Sequence, residues 1–325
     1  MSTSIITFNQ ILIIFIIIAI GVICYKVKLI DDETNNRLSS ILLMLVNPMV
    51  IFVSYQREFE KELLEGLLIS LLLSVITHVV SILISHLLIK KKRRKKGKIA
   101  NHSINKYVDN EDVEVERMSS IYSNVGFMGI PLMYGIFGTE GVFYATASVT
   151  IFNIFLWTHG VVMMSGTNEW SLKSMLKKLL SPSIIAIVLG LICFLFQIMV
   201  PDVVFDAFQH VANINTPFAM LIAGVTIGKT DFKKLITNYR IYFIAFIKLL
   251  LIPAVLLLIY GMLPISNKVF TTAVIMAAAP TATTGILFAL KYKKNAIYSA
   301  EIFTVTTLLS AITIPFIVML AGLFS

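Results

Sequence analysis

Residues 123–131 read SNVGFMGIP, and they decide the fold together with residues 279–285, which read APTATTG. Each segment lies inside a membrane-length apolar stretch, yet it carries glycine, proline and small polar residues near the middle. Proline removes a backbone donor and clashes with the preceding helical turn, so both segments are predicted to interrupt a helix. Interrupted helices are costly in lipid unless they are buried in protein or line a cavity. Two of them, at corresponding places in two halves of a chain, indicate a ligand site near the membrane midplane.

The composition is that of an integral membrane protein. Hydrophobic residues make up 57% and charged residues 14% of the 325 positions, and the mean hydropathy is +0.87. Soluble domains are about half apolar and about a quarter charged. At roughly 20 to 25 residues per span, about ten helices fit the chain. We predict an all-α integral membrane fold with ten transmembrane helices at 8–26, 38–56, 63–89, 119–137, 141–165, 182–200, 207–228, 239–261, 268–290 and 296–322.

The distribution of basic residues predicts the orientation. Nearly all of the 27 Lys and Arg residues lie in the connections that leave odd-numbered spans, whereas the opposite side holds only Arg57, Lys61 and Lys268. Positively charged loops face the cytoplasm, so we expect a multi-pass protein of the cell membrane with both termini extracytoplasmic. The net charge of +9 therefore reflects topology, and we expect no nucleic-acid partner. The connection 90–118 is predicted to be a solvated cytoplasmic loop or one that binds anionic lipid headgroups.

Short matches between the two halves indicate an internal repeat. The segment Gly21–Cys24 in span one is similar to Gly190–Cys193 in span six, and the same offset places Pro48 on Pro217. Because five spans are an odd number, the two repeats must have opposite orientation. We predict one five-helix repeat at 1–165, a short cytoplasmic linker at 166–181 and a second five-helix repeat at 182–325. Spans four and nine, which hold the two interrupted segments, are then equivalent.

Three motifs resemble those of the auxin efflux carrier family, in its bacterial branch. They are Asn47-Pro48 in span two, Asn124–Pro131 followed by Phe137-Gly138 in span four, and Ala278–Thr283 in span nine. The resemblance covers essentially the whole chain. Its motifs are moderately specific for the family and poorly specific for the substrate.

The resemblance implies a fold and a class of activity. The fold would have ten helices, both termini outside and crossing, unwound helices four and nine, like that of bile-acid symporters and sodium/proton antiporters. Similar proteins include plant auxin exporters and bacterial carriers assigned to malate or malonate. The chain lacks the long central cytoplasmic loop of many plant members, which weakens a plant-type auxin assignment.

The two interruptions also predict where a substrate binds. A broken helix presents unpaired N–H groups and the positive end of its dipole, which suit a carboxylate. Asparagine in mid-membrane is costly without a partner, so it either contacts the substrate or bonds across helices. The alternative is that these residues only satisfy the broken backbone. The expected substrate-binding residues are Asn47, Pro48, Asn124, Gly126, Asn215, Pro217, Pro280, Thr281 and Thr283.

A few ionisable residues within the predicted spans are candidates for coupling transport to an ion. Lys248 could offset a transported anion or cap unwound carbonyls, because intramembrane charges normally face the bundle interior. Glu301 lies near the cytoplasmic end of span ten, where it could also simply reach water. Histidine can relay protons near neutral pH, and His159 is the first candidate among three histidines on apolar spans; packing is the alternative for each.

These observations predict a secondary active transporter of a small organic anion, such as malate, malonate or an auxin-like acid, that works by alternating access. Proton or sodium is the expected coupling ion, and a homodimer is compatible with carriers of this kind. The alternative is a sodium- or proton-coupled cation antiporter of the same architecture. It would need acidic residues at the crossing, but 119–137 and 268–290 contain none. We expect no enzyme activity, cofactor or metal, because phosphate-binding, hydrolytic and metal-ligand patterns are lacking.

Overall fold

The regular structure of the chain is helical. The computed structural model describes residues 3–90, 112–165, 180–230, 235 and 238–324, and within these ranges one isolated β-bridge accompanies the helices. Residues 91–111 of the predicted cytoplasmic loop and 166–179 of the predicted linker lie outside the described residues. The prediction of a solvated loop is wrong for residues 112–118, which belong to a helix and are mostly buried. The α-helices are α1 (Thr3–Lys26), α2 (Asp32–Ile41), α3 (Asn47–Ser54), α4 (Lys61–Leu88), α5 (Asp112–Ile121), α6 (Ile130–Phe155), α7 (Val161–Ser165), α8 (Pro182–Phe196), α9 (Asp202–Asn213), α10 (Asn215–Gly228), α11 (Tyr239–Phe246), α12 (Ile252–Gly261), α13 (Asn267–Ala278), α14 (Thr284–Lys291) and α15 (Ala296–Ala321).

The helices confirm an integral membrane protein. Seven helical stretches within the described residues are long and apolar enough to cross a bilayer, and α8 is a shorter apolar helix. The longest stretch, Val125–Ser165, has 41 residues and includes most of predicted spans four and five. It bends at Gly138, whose φ of 63° places it in the left-handed region that glycine adopts without steric cost. The seven stretches are Ile5–Lys26, Asp32–Ser54, Lys61–Leu88, Val125–Ser165, Asp202–Gly228, Tyr239–Gly261 and Ala296–Ala321.

Prolines within the apolar stretches are accommodated by π-helical turns. Pro48, Pro131 and Pro253 are each the second residue of an α-helix that follows directly on such a turn. A proline lacks the N–H for the usual bond, and its ring clashes with the carbonyl four residues back. The wider π turn inserts one residue and relieves this conflict without ending the helix. The three turns are Leu42–Val46, Val125–Gly129 and Ile247–Leu251, and a fourth, Leu156–Gly160, has no proline after it.

The helices pack in two groups. In the first group, which we call the scaffold group, α1 lies along α10, and α3 packs against α8 and α9. In the second, the crossing group, α6 and α15 pack against α13, and α6 also packs against α4. The groups meet where α1 contacts α6 and α15 and where α3 contacts α6.

Glycine allows one very close approach within the scaffold group. A Cβ at Gly224 of α10 would lie 2.1 Å from the carbonyl oxygen of Ile18 in α1, and 2.9 Å from the Cα of Gly21. Backbone atoms cannot rotate away as a side chain does. The two helices can therefore approach this closely only because both positions lack a Cβ.

The structure has both predicted interruptions and shifts one of them. Helix α5 ends at Ile121 and the following π turn begins at Val125, so the break in span four lies at residues 122–124. Of the predicted segment 123–131, only residues 123 and 124 lie in the break, because 125–131 form the π turn and the first residues of α6. Proline is tolerated in the first turn of a helix, where its missing N–H has no partner to lose. In span nine the break is at residues 279–283, between α13 and α14.

Candidate functional site

The two breaks bond directly to each other through their backbones. The Asn124 N–H donates to the Pro280 carbonyl at 2.7 Å, and the Ala282 N–H donates to the Tyr122 carbonyl at 2.9 Å. The pairing is the isolated antiparallel bridge between Ser123 and Thr281. We call residues 122–124 and 279–283 together the crossing. This pairing satisfies backbone groups that the helix ends leave open.

Pro280 explains why the second strand of this bridge is extended. The residue before a proline is disfavoured in the helical region, and Ala279 has φ −57° and ψ 144°. Helix α13 therefore ends at Ala278, and the Pro280 carbonyl turns toward the other break. Pro280 shapes the crossing and offers its carbonyl to Asn124.

Thr281 mainly satisfies the interrupted backbone. Its Oγ1 donates to the carbonyl of Ser119 at 2.8 Å, and its N–H donates to Thr306 Oγ1 at 3.3 Å. The sequence left open that the residues of the break only satisfy the interrupted backbone, and these contacts of Thr281 agree with that alternative. Thr283 precedes α14 and is half-buried, and its side chain does not cap that helix.

Three asparagines lie at or beside the crossing. Asn47 and Asn215, on α3 and α10, are joined by a hydrogen bond from Asn215 Nδ2 to Asn47 Oδ1. Asn124 follows the bridge and caps the next helical segment by accepting a bond from the Phe127 N–H at 3.3 Å. All three asparagines are at most 3% exposed. A Cβ at Gly126 would lie 3.7 Å from Asn47 Nδ2, so this pair faces the span that carries the crossing.

Two amide atoms in this group lack a partner among the described residues. They are Asn124 Nδ2, a donor, and Asn215 Oδ1, an acceptor. Most buried polar atoms in proteins are hydrogen-bonded, and an exception calls for an unseen water, ion or ligand. Pro48 and Pro217 lie one and two residues after the paired asparagines and are half-buried. They bring no donor of their own and act through the shape of α3 and α10.

Lys248 reaches the crossing from the π turn before α12. Its side chain is only 1% exposed, and Nζ donates to Ser123 Oγ at 2.5 Å and to the Ala277 carbonyl at 3.3 Å. Ala277 is in the last turn of α13, whose carbonyls form the negative end of that helix. The ammonium group thus contacts the 122–124 part of the crossing and the C-terminal end of α13, the helix that leads into residues 279–283.

His159 and Glu301 are the other two residues predicted to couple transport to an ion. His159 Nδ1 is 3.0 Å from Tyr122 OH, and its ring borders a cavity of about 660 Å³ that Arg117 and Glu114 also line. Glu301 is half-buried near the start of α15. No hydrogen bond or ion pair links Glu301 to Lys248 in the described part of the chain.

Several polar residues of this region were missed by the sequence analysis. Ser123 and the carbonyl of Ala277 bind Lys248, yet no pattern marks a small residue as a lysine partner. A second cluster joins three helices: Glu116 of α5, which is fully buried, accepts both guanidinium bonds of Arg240 at 2.7 Å and the Tyr298 hydroxyl at 3.0 Å. The charges of Glu116 and Arg240 were visible, but their pairing across 124 residues was not.

No group of three or more His, Cys, Asp and Glu side chains is arranged to hold a metal ion within the described ranges. The polar atoms at the crossing are instead amides, hydroxyls, backbone groups and one ammonium. Such a set binds carboxylates through N–H donors.

Comparison with known proteins identifies relatives of the chain. A family model described as membrane transport protein matches residues 6–318. The uncharacterized transporter YfdV of Escherichia coli strain K12 is 23% identical over 210 residues, which cover 62% of this chain and 66% of YfdV. The YfdV proteins of Escherichia coli O157:H7 and of Shigella flexneri match to the same extent. The matched region thus spans slightly less than two thirds of these relatives.

Proposed function

Because the chain belongs to the membrane transport protein family, the auxin efflux carriers, we propose that it is a secondary carrier that moves a small organic anion by alternating access. The expected substrate is a carboxylate such as malate, malonate or an auxin-like acid. The observation that carries the proposal is the unpartnered buried donor Asn124 Nδ2 beside a broken helix, because a carboxylate can accept its hydrogen bond.

The charge around the crossing favours an anion. Two helical segments begin there, at Val125 and Thr284, and each directs its positive end toward the break. The negative ends of α5 and α13 also point there, but Lys248 binds the Ala277 carbonyl of α13 and Ser123 next to α5. Asp and Glu are lacking from 119–137 and 268–290. Positive helix ends with a nearby ammonium and no carboxylate suit a carboxylate ligand better than a cation.

The two groups of helices supply a mechanism. Asn47 and Asn215 belong to the scaffold group, whereas Asn124 and Pro280 belong to the crossing group. A substrate held between these residues would be exposed to one side or the other when the crossing group moves relative to the scaffold group. Gly126 faces Asn47 across this boundary, and a glycine there leaves room for a ligand close to the backbone.

The proposed architecture has ten helices in two inverted repeats, at 1–165 and 182–325 with the linker 166–181. One pair of contacts supports it. Gly21 of α1 packs against α10, and Gly190 of α8 packs against Tyr55 at the end of α3, where a Cβ would lie 2.7 Å from the ring. In an inverted repeat, the first span packs against the seventh and the sixth span packs against the second, as these two contacts do. Extracytoplasmic termini, the cell membrane and a homodimer belong to the same proposal.

Uptake into proteoliposomes tests the function. Purified protein is reconstituted, and uptake of radiolabelled malate, malonate and indole-3-acetate is measured with and without pH and sodium gradients. Saturable uptake of one acid is expected, and protein-free liposomes give the background. Asn36→Asp, the same exchange at an exposed position of α2, serves as the control for variants of Asn124. Folded protein that moves no acid but exchanges sodium for protons would replace the proposal with the cation antiporter.

A further inference from the structure

Lys248 is a buried cation without an anionic partner in the described residues. An ammonium group has three N–H donors, and two of them reach Ser123 Oγ and the Ala277 carbonyl. Both of these acceptors are neutral. A full charge at this depth is costly, and intramembrane lysines normally have a carboxylate, a cavity or a transported ion near them.

A small polar cavity lies beside the two residues that bind Lys248. Its volume is about 10 Å³, and Ser123, Ala277 and His78 are among its lining residues. This volume is close to the lower limit for one water molecule, which also needs two to four polar partners. The cavity offers them through the side chains of Ser74, Thr77, His78, Ser123 and Ser148.

His78 lines this cavity, and a hydrogen bond defines the protonation of one of its two nitrogens. Its Nδ1 lies 2.8 Å from the Ser74 carbonyl, and because a carbonyl only accepts, Nδ1 carries a proton. Nε2 is therefore the nitrogen that gains or loses a proton. The His78 ring stacks on Phe155 and lies 6.1 Å from the Tyr122 ring, and the Tyr122 hydroxyl contacts His159 at the edge of the larger cavity.

Other ionisable groups lie on the helices around Lys248. None of them forms a hydrogen bond or ion pair with its Nζ in the part of the chain that the structure describes, and Glu116 is already bound by Arg240 and Tyr298. His78 is the one that lines the cavity next to the Lys248 partners. The groups considered are His78 on α4, Glu114, Glu116 and Arg117 on α5, Arg240 on α11, Tyr260 on α12, Lys268 on α13, and Tyr298 and Glu301 on α15.

We propose that Lys248, the water-sized cavity and His78 form a proton-binding site that couples anion transport to proton movement. The proposal rests on the proposed function. His78 Nε2 takes up a proton from the aqueous phase on one side of the membrane and passes it to a water in the cavity. This water passes a proton to the Ser123 hydroxyl as that hydroxyl gives up its own proton to the Lys248 amine, and the ammonium later releases a proton to the aqueous phase on the other side. Each carrier accepts one proton and releases one, the amine becomes an ammonium, and the anion is chemically unchanged.

Charge explains why proton and anion would travel together. The ammonium of Lys248 is expensive next to an empty crossing and is stabilised when a carboxylate binds there. By thermodynamic linkage, the factor by which the bound anion raises the affinity for the proton equals the factor by which the bound proton raises the affinity for the anion. A permanently charged residue would attract the anion equally well but could not carry a proton.

Lys248→Arg separates these two possibilities. Arginine keeps the charge and does not lose its proton in proteins, so this variant is expected to bind anion without coupling it to protons. The matched control is Lys268→Met, which removes an exposed lysine paired with Glu140. His78→Gln keeps a hydrogen-bond donor and cannot relay a proton, and its control is His210→Gln on the exposed side of α9.

The experiment uses proteoliposomes clamped at zero membrane potential, with radiolabelled malate, malonate or indole-3-acetate outside and a pH-sensitive dye inside. For one proton per anion, accumulation by the wild type should change about tenfold per unit of pH difference, since a tenfold ratio corresponds to ~1.4 kcal/mol. Lys248→Arg should show no such response, and His78→Gln should slow the dye signal, whereas both controls follow the wild type.

The outcomes distinguish this proposal from the function on which it rests. If the wild type shows saturable uptake that does not depend on the pH difference, only the proton site is overturned. The same holds if Lys248→Arg responds to the pH difference as the wild type does. Folded wild-type protein that takes up none of the three acids would overturn the proposed function instead.

Discussion

Asn124 performs two separable tasks, and this allows a sharp test of the substrate site. Its Oδ1 caps the helical segment that begins at Val125, through the Phe127 N–H, whereas its Nδ2 has no partner among the described residues. Asn124→Ala removes both atoms. Asn124→Asp keeps an acceptor for the cap but replaces the donor with a second, charged acceptor.

The expected sizes of the two effects differ. The capping bond is long at 3.3 Å, so its loss should cost at the lower end of the range for caps, about 0.5–1 kcal/mol of stability. A hydrogen bond from Nδ2 to a carboxylate is a bond to a charged group, worth roughly 1.5–3 kcal/mol. Asn124→Ala should thus bind the anion about 10- to 150-fold more weakly. Asn124→Asp should bind the anion more weakly still, because its carboxylate repels the anion.

Binding of the transported acid in detergent and thermal unfolding of the same samples measure both effects. Asn36→Asp is the matched control, because it makes the same exchange at an exposed position of α2, away from the two breaks in sequence. It should bind the acid as the wild type does. Affinity of Asn124→Asp within twofold of the wild type would remove Asn124 from the substrate site. Unchanged thermal unfolding of Asn124→Ala would show that the capping argument is wrong.

Three further predictions concern the packing around the site. Glu116→Gln should destabilise the protein by about 3 kcal/mol in denaturant titrations, the lower end for breaking a buried ion pair, because Arg240 is 28% exposed and can reach water; an unchanged midpoint would contradict this. Pro280→Ala should slow uptake of the anion because it lets α13 extend through the break, and wild-type uptake would show that proline does not maintain it. Gly224→Ala should cost about 1–3 kcal/mol by overpacking, whereas Gly228→Ala, whose Cβ would meet the Tyr25 side chain at 3.1 Å rather than backbone, should cost less.

The helical spans and the positions of the breaks could largely be predicted from the sequence. Continuous apolar runs define membrane helices because the bilayer fixes their length, and Pro280 with its neighbours indicated an interruption where α13 ends. The break in span four was placed too far along the chain. Gly126 and Pro131 signal helix disruption locally, but a π turn accommodates Pro131. The backbone pairing with residues 280–282 instead holds 122–124 out of the helix.

The partners of the polar residues could not be predicted. Asn47 and Asn215 were both singled out, and the bond between them joins two helices that are far apart in sequence. Lys248 was recognised as an intramembrane charge, but its acceptors are a serine and a backbone carbonyl, which carry no distinctive pattern. His159 was preferred over His78 because of its neighbours in sequence, whereas the structure places His78 beside the cavity next to Lys248. Side-chain direction and helix packing decide these contacts.

The backbone bridge between the two breaks also constrains how the protein is made. The groups of Tyr122 and Asn124 that form it are completed only by residues 280–282. At a synthesis rate of ~5–20 residues per second, these partners emerge roughly 10–30 s later. Throughout that interval the nascent fourth span carries open backbone groups in or near the bilayer. Insertion of this span is therefore expected to depend on the translocon, a chaperone or temporary partners until the ninth span arrives.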